Sequence, residues 1–249
     1  MIKSERQKQI LKLLKENGGI ITVNELSKKL YASPSSIRRD LTNLEKSGNV
    51  KRTYGGAELV STFSGAIPFN CRYPLNENLK KIIAKNALSL IKEKCVIFMD
   101  QSSSAFYLAT MLPNLRSITV ITNNLEIITL LSSTNITVIS SGGNLHSENR
   151  CCLVGKLAEE TFYKFHADYA FISSKSLSNN GVITDCNIDE TPIRDAMIKN
   201  ADKTVFLCDS SKVNNYSAYV QCTLNDINYL ISDTDLSYYK TQFKNLIVL

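Results

Sequence analysis

Ser33-Pro34-Ser35-Ser36-Ile37-Arg38-Arg39-Asp40-Leu41 is the stretch on which the reading of the chain turns. Ser33 has the right side chain for a helix N-cap, and Pro34 suits the first helical position, where no amide hydrogen bond is lost. Ile37, Leu41 and Leu44 recur at i, i+4 and i+7, the spacing of one apolar helix face. At about 100° per residue, Ser35, Arg39 and Thr42 fall roughly on the opposite side. That side carries two hydroxyls and an arginine, with Ser36 and Arg38 on its flanks. Short hydroxyls and Arg can approach phosphates and base edges without steric conflict. Taken alone, the same pattern also fits a surface helix with solvated arginines.

The flanking residues decide between the two. Thr22-Val23-Asn24-Glu25 is a capping box, a Thr N-cap with Glu three residues on. Val23, Leu26 and Leu30 then mark a short amphipathic helix, and Tyr31-Ala32 is the turn into the Ser33 helix. Upstream, Ser4–Glu16 reads as a further helix with Ile10, Leu13 and Leu14 on its inner face and Gly18-Gly19 stopping it. Three short helices with a tight turn before the last fit a helix-turn-helix. Residues 49–59 follow as two short strands around Gly55-Gly56, a basic wing whose Lys51, Arg52 and Tyr54 suit phosphate or minor-groove contact.

Charge supports this reading. Residues 1–58 hold 12 Lys/Arg and 6 Asp/Glu, whereas the rest of the chain holds 17 of each, so the whole net charge of +6 sits on the N-terminal part. Counterion release on DNA needs positive charge there. The seven cysteines are odd in number and form no C-x-x-C pair, the pattern of buried reduced thiols. With two histidines and no ligand spacing, no zinc site or other metal is expected, and no cofactor motif occurs. The charged N-terminus does not read as a signal peptide and no apolar run approaches a membrane span, so a cytoplasmic protein without a membrane partner is expected.

Residues 59–75 read as a linker, dividing a DNA-binding domain at 1–58 from a second domain at 76–249. After a helix from about Asn76 to Lys94, short continuous apolar runs alternate with helical segments: 95–100, 117–122, 136–140, 169–173, 204–209, 228–232 and 246–249. Such runs predict strands of a mainly parallel sheet covered by helices on both faces, an α/β domain. Helices are expected at 105–112, from Asn124 through Leu131, and at 191–201. The strands empty into small polar residues: Asp100 and Ser102, Ser103, Ser104; Asn123 and Asn124; Gly142 and Gly143; Asp209, Ser210 and Lys212. Ligands of open α/β sheets bind outside the strand carboxyl ends. Serines opening a helix offer hydroxyls and amides to an anion, Lys212 supplies a point charge for phosphate, and Asp100 can accept from sugar hydroxyls. Ser, Asn and Gly also simply make turns; it is the convergence of several such loops on one edge that points to a ligand.

Two resemblances cover almost the whole chain. Arg6, the Ser-x-x-Ser-Ile-Arg-Arg-Asp-Leu run ending at Leu41, and Arg52-x-Tyr-Gly-Gly-Ala at 52–57 resemble the N-terminal domain of DeoR-family transcriptional regulators. Ser36 stands where the family usually has Thr. The C-terminal part resembles the sensor domain of the same family, similar in fold to ribose-5-phosphate isomerase and CoA-transferase-like proteins. The matching residues are Asp100 to Ser104, Thr122-Asn123-Asn124, Gly142-Gly143, Gly181 before a short strand, Glu190 with Arg194-x-x-Met197, and Asp209-x-Ser-Lys212. Here the chain has Ser102 and Ser104 where the family often has Gly and Thr, and residues 173–177 lack its usual glycines. The resemblance implies a regulator, a repressor of a carbohydrate operon, that binds double-stranded operator DNA as a homo-oligomer, dimer or tetramer, and senses a phosphorylated sugar. The alternative is a sugar-phosphate isomerase or transferase with an appended DNA-binding domain; a third reading leaves the C-terminal domain with oligomerisation alone. Catalysis would require a base at the substrate carbon, for which Asp100 and Glu190 are the candidates and paired carboxylates are not evident.

Overall fold

The computed structural model describes residues 3–17, 20–46, 49–53, 55–59 and 69–249, in two compact units, Met1–Leu75 and Asn76–Leu249. The first unit is built from helix α1 (Lys3–Glu16), strand β1 (Ile20–Thr22), helices α2 (Val23–Leu30) and α3 (Pro34–Lys46), and strands β2 (Val50–Thr53) and β3 (Gly56–Leu59). A single turn of helix, α4 (Phe69–Arg72), lies inside the span expected to be linker; residues 60–68 of that span are outside the described residues. The glycines expected to stop α1, Gly18 and Gly19, are also outside them.

The capping box at Thr22 forms: Thr22 Oγ1 accepts from Glu25 N at 3.2 Å, and Glu25 Oε2 accepts from Thr22 N at 3.0 Å. The apolar stripes of three helices meet in one core made by Ile10, Leu14, Val23, Leu26, Leu30, Ile37, Leu41 and Leu44. Arg6 Nε donates to Asp40 Oδ2 at 2.5 Å, with the Asp40 side chain buried, which ties α1 to α3. The hairpin expected around Gly55-Gly56 is present, but it carries a third strand that the sequence reading did not include: β3 lies between β1 and β2, antiparallel to both. Three residues of β1 are too few to display a period. Gly56 pairs with Thr22 across β1 and β3, and a Cβ on it would collide with the Ile21 carbonyl oxygen.

The second unit opens with α5 (Glu77–Leu88) and continues through β4 (Val96–Met99), α6 (Ser103–Ala109), β5 (Thr119–Thr122), α7 (Leu125–Leu131) and β6 (Thr137–Ser140). A small antiparallel pair follows, β7 (Asn144–Leu145) and β8 (Leu153–Val154), then α8 (Lys156–Tyr163) and β9 (Ala167–Ile172). Next come β10 (Ser176–Leu177), β11 (Val182–Asp185), α9 (Thr191–Lys199), β12 (Ala201–Cys208), β13 (Tyr219–Thr223), β14 (Tyr229–Ser232) and β15 (Ile247–Val248). Seven strands form one sheet in the order β15-β14-β12-β9-β4-β5-β6, and every neighbouring pair is parallel. Strand β11 of a separate antiparallel sheet, β10-β11-β13, is the short strand that the resemblance implied after Gly181; β10, β13 and helix α8 occupy stretches in which no element was expected.

Alternation along the strands explains the continuous apolar runs at their centres. Ile97, Met99, Phe171, Val205 and Leu207 pack with α5, α6 and α7 in one core, through Ile83, Leu108 and Ile127. Phe98, Ala170, Ile172, Phe206 and Cys208 pack with α8 and α9 in a second core, through Ala158, Phe162, Ile193 and Met197. A parallel sheet buried on both faces needs apolar side chains at both parities. Because all seven strands run the same way, their carboxyl ends share one edge, and the polar residues that follow them are gathered there.

Candidate functional site

In the first unit the exposed face of α3 is assembled from its N-cap outward. Ser36 N donates to Ser33 Oγ at 3.3 Å, and the Ser33 hydroxyl lies 3.0 Å from that of Ser35 and 2.9 Å from that of Ser36. Ser33, Ser35, Arg38 and Arg39 are exposed, while Ser36 and Thr42 are half-buried. Thr42 Oγ1 donates to Arg38 O at 2.9 Å and accepts from the Arg52 guanidinium at 3.1 Å. Arg52 N also donates to Glu45 Oε1 at 2.9 Å, so the wing is pinned to α3 along the side that bears Thr42. Tyr54 and the side chain of Lys51 lie outside the described residues. Tyr31, the C-cap of α2, is 97% exposed with φ 48° in the turn before α3.

In the second unit the residues after the strands separate into two groups. Ser102, Thr122 and the side-chain oxygen of Asn124 are occupied in local structure, whereas Asn124 Nδ2 is buried without a hydrogen-bond partner among the described residues. Ser102 Oγ accepts from Ala105 N at 3.0 Å and caps α6. Thr122 Oγ1 donates to Met99 O at 2.7 Å, and Asn124 Oδ1 accepts from Glu126 N at 2.9 Å to cap α7. Gly143, at φ +100°, packs so closely that a Cβ would lie 2.6 Å from Val154 O; Gly142 has φ +63°, and a Cβ there would make only ordinary contact with Leu157 Cδ2 at 4.0 Å. Ser103 and Ser104 are buried at the start of α6.

The other group is a buried charge network centred on Arg194, on α9. Its guanidinium donates to Asp100 Oδ2 (Nε, 3.0 Å) and Glu190 Oε2 (NH2, 3.1 Å), and pairs with Asp185 Oδ2 (NH1, 2.8 Å). All four side chains are 7% exposed or less. Burial pushes the Arg194 pKa down, but the Asp185, Asp100 and Glu190 carboxylates outweigh it and raise the pKa above its ordinary value. Asp100 was expected to meet sugar hydroxyls; in the structure it is 0% exposed and also accepts from Ser102 N and Ser173 N, each at 3.0 Å. One lone pair therefore remains of its four, and its principal contacts are with the protein.

Lys212 joins the same network from β12's end. Its Nζ donates to Ser173 Oγ at 2.5 Å and pairs with Asp209 Oδ2 at 3.7 Å. Ser173 thus holds Asp100 by its backbone N–H and Lys212 by its hydroxyl. Asp209 has its pKa held below the usual range: burial works against this, but Lys212, Ser211, Lys80 and Asn76 prevail. On the opposite side, Glu190 accepts from Gln101 Nε2 at 2.5 Å and Asn149 Nδ2 at 3.2 Å, and Asn123 Nδ2 donates to Gln101 Oε1 at 3.4 Å. Asp100, Asn123, Glu190 and Lys212 are therefore brought into one connected set. Asp185, Gln101, Asn149 and Ser173 complete it without having been singled out as site residues from the sequence. The thiols beside this region are unreactive by burial, Cys186 and Cys208 both being pushed up to about 12.

Comparison with known proteins gives the following. Residues 6–63 match the DeoR-like helix-turn-helix domain, and residues 75–234 match the DeoR C-terminal sensor domain. The HTH-type transcriptional regulator GolR of Listeria innocua is 38% identical over 95% of this chain and 93% of its own. The L-fucose operon activator of Escherichia coli is 31% identical over 93% of this chain and 96% of its own. Among solved structures, a ribose 5-phosphate isomerase A from Methanocaldococcus jannaschii aligns with TM-score 0.42 and 21% identity, over 55% of each chain.

Proposed function

We propose a specific role for this chain, which belongs to the DeoR family of transcriptional regulators: it represses a carbohydrate operon and is released from its operator by a phosphorylated sugar. It is a regulator and not an enzyme, and its two matched domains carry DNA binding and small-molecule sensing. In this reading the α3 face reads double-stranded DNA, with Arg39 at a base or phosphate, Arg38 alongside, and Ser33, Ser35, Ser36 and Thr42 in close approach. Lys51, Arg52 and Tyr54 of the wing contact the backbone. A single helix-turn-helix reads only a few base pairs, so the regulator acts as a dimer or tetramer on a repeated site.

The observation that carries the effector assignment is the sharing of Ser173 by Asp100 and Lys212. It joins a cation suited to phosphate to a carboxylate network suited to polyol recognition, at the carboxyl ends of parallel strands. Lys212 holds the phosphate with the hydroxyls or amides of Ser102, Ser103 and Ser104, next to Gly142 and Gly143. Thr122, Asn123 and Asn124 border the sugar with Glu190. Asp100 offers its remaining lone pair to a hydroxyl and otherwise acts by positioning Ser173 and Arg194. The relative named as an L-fucose operon activator favours a sugar-linked role for the family. An effector switches the protein only by binding its DNA-competent and DNA-free states unequally, with about 1–3 kcal/mol of coupling typical.

The test is a mobility-shift titration of the full chain on promoter DNA adjoining its own coding sequence, repeated with a panel of aldose, ketose and amino-sugar phosphates. Retarded DNA that is freed by one of them, and not by the unphosphorylated sugar, is the expected result. Retardation insensitive to every phosphosugar would remove the effector assignment and leave the DNA assignment standing.

A further inference from the structure

The hydrogen-bond orientations around Glu190 are fixed by chemistry, and they constrain the effector. Glu190 is ion-paired with Arg194, and a carboxylate so paired only accepts. The amide groups of Gln101 and Asn149 that touch it must therefore present their NH2 ends. That turns Gln101 Oε1 toward Asn123, which must in turn present its own Nδ2. A second contact fixes the same orientation independently, because Asn123 Nδ2 also donates to the Leu153 carbonyl at 3.1 Å. The outcome is two carbonyl oxygens, Asn123 Oδ1 and Asn149 Oδ1, that are buried and have no hydrogen-bond partner among the described residues. Asn123 is 0% and Asn149 4% exposed. The Ser104 hydroxyl, at 1%, is in the same condition.

Unpaired buried acceptors are costly and rare, and they call for donors. The charge nearby works in the same direction. Asp100, Asp185 and Glu190 surround one guanidinium, so the corner holds three negative charges against one positive. A phosphate or carboxylate brings only acceptors and negative charge to such a place. A pair of hydroxyls, or an amino group, brings what the two oxygens lack. We infer that Asn123 and Asn149 form the subsite for the non-phosphorylated end of the effector, that this end bears hydroxyl or amino donors, and that sugar acids carrying a second anion there are excluded. The inference rests on the effector being a phosphosugar whose phosphate lies with Lys212, which reaches Glu190 through Ser173, Asp100 and Arg194.

Isothermal titration of the full chain tests it with matched sets. The six-carbon set is glucose 6-phosphate, fructose 6-phosphate, glucosamine 6-phosphate and 6-phosphogluconate; the five-carbon set is ribose 5-phosphate and its 5-phosphoaldonate; inorganic phosphate is the reference. At least one neutral or amino-sugar phosphate is expected to bind tenfold or more tightly than the matched aldonate. Asn149→Ala should weaken that ligand about tenfold, the loss of roughly one good hydrogen bond, and leave inorganic phosphate unchanged. An aldonate phosphate that binds as well as its neutral partner in the wild type overturns the inference while the phosphosugar reading survives. Unchanged affinity and preference in both Asn149→Ala and Asn123→Ala also overturns it, the two oxygens then being satisfied by water. Failure of every sugar phosphate to bind better than inorganic phosphate is a different result, since it sinks the effector reading on which the inference stands.

Discussion

The two units place their polar residues in opposite ways. On α3, Ser33, Ser35, Arg38 and Arg39 face solvent, and the residues that hold the helix, Ile37, Asp40, Leu41 and Leu44, are on its other side. In the second unit Asp100, Asp185, Glu190 and Arg194 are at once the polar site and part of the buried interior. The difference teaches what each surface has to do. A DNA-reading face meets a large, flat, charged partner and must be available before contact. A small-molecule site encloses its ligand, so its groups are preorganised among themselves at the cost of burying charge. Binding and stability should then separate cleanly under mutation on the α3 face and be inseparable at Arg194 and its three carboxylates.

The sharpest probe of that contrast is Arg194→Leu. It leaves Asp100, Asp185 and Glu190 buried without their shared cation, and breaking a buried pair in this way costs about 3–5 kcal/mol. Denaturant unfolding followed by circular dichroism should show a large drop in the midpoint; a change under about 1 kcal/mol would mean that the carboxylates find other partners and that the network is not structural. On the other side, Arg39→Ala should weaken specific operator binding by roughly 1–3 kcal/mol if its contact is bidentate to guanine, while unfolding stays within about 0.5 kcal/mol of wild type. Gel-shift titration and thermal melting on the same sample check both halves, and equal losses in the two assays would erase the distinction between the units.

The smallest effect runs the other way. Tyr31 occupies a left-handed conformation, φ 48°, at the C-cap of α2. A non-glycine residue there carries about 1 kcal/mol of strain that glycine avoids. Tyr31→Gly should therefore raise the melting temperature by several degrees, a gain at an exposed position of the DNA-binding unit. A lower melting temperature would show that the tyrosine ring makes a stabilising contact.

How far the sequence reached follows the same division. The α3 face could be read because a helix repeats its burial every three to four residues, and the apolar and polar positions sort by arithmetic. The central parallel strands were legible as apolar runs because both parities are buried along most of their length, though β9 and β12 begin earlier than those runs, at exposed Asp168, Asp202 and Lys203. Strand β1, the pair β7-β8 and the strands β10 and β13 were not legible, being either too short to show a period or bounded by ordinary polar residues, and β11 was marked only by the family resemblance at Gly181. Arg194 was visible only as part of a family pattern. Its charge suggests a solvated position, since arginine is almost never fully buried unless paired. One local signal did exist: it stands three residues before the buried Met197, on the edge of the inward stripe of α9. Asp185, Gln101 and Asn149 gave no such sign. Asp185 joins the set through Arg194, and Gln101 and Asn149 reach Glu190 by tertiary pairings across 89 and 41 residues of chain.

In the proposed function, reading DNA and sensing the effector reside on separate sets of residues. Fluorescence anisotropy of labelled operator DNA tests it directly, by titrating the wild type and Lys212→Ala with the sugar phosphate that releases the wild type. Lys212→Ala should bind the operator with nearly wild-type affinity and need roughly 10- to 150-fold more effector for release, the loss of one charge-assisted hydrogen bond of about 1.5–3 kcal/mol. Release at wild-type effector concentrations, or operator affinity that falls along with effector response, would contradict the account.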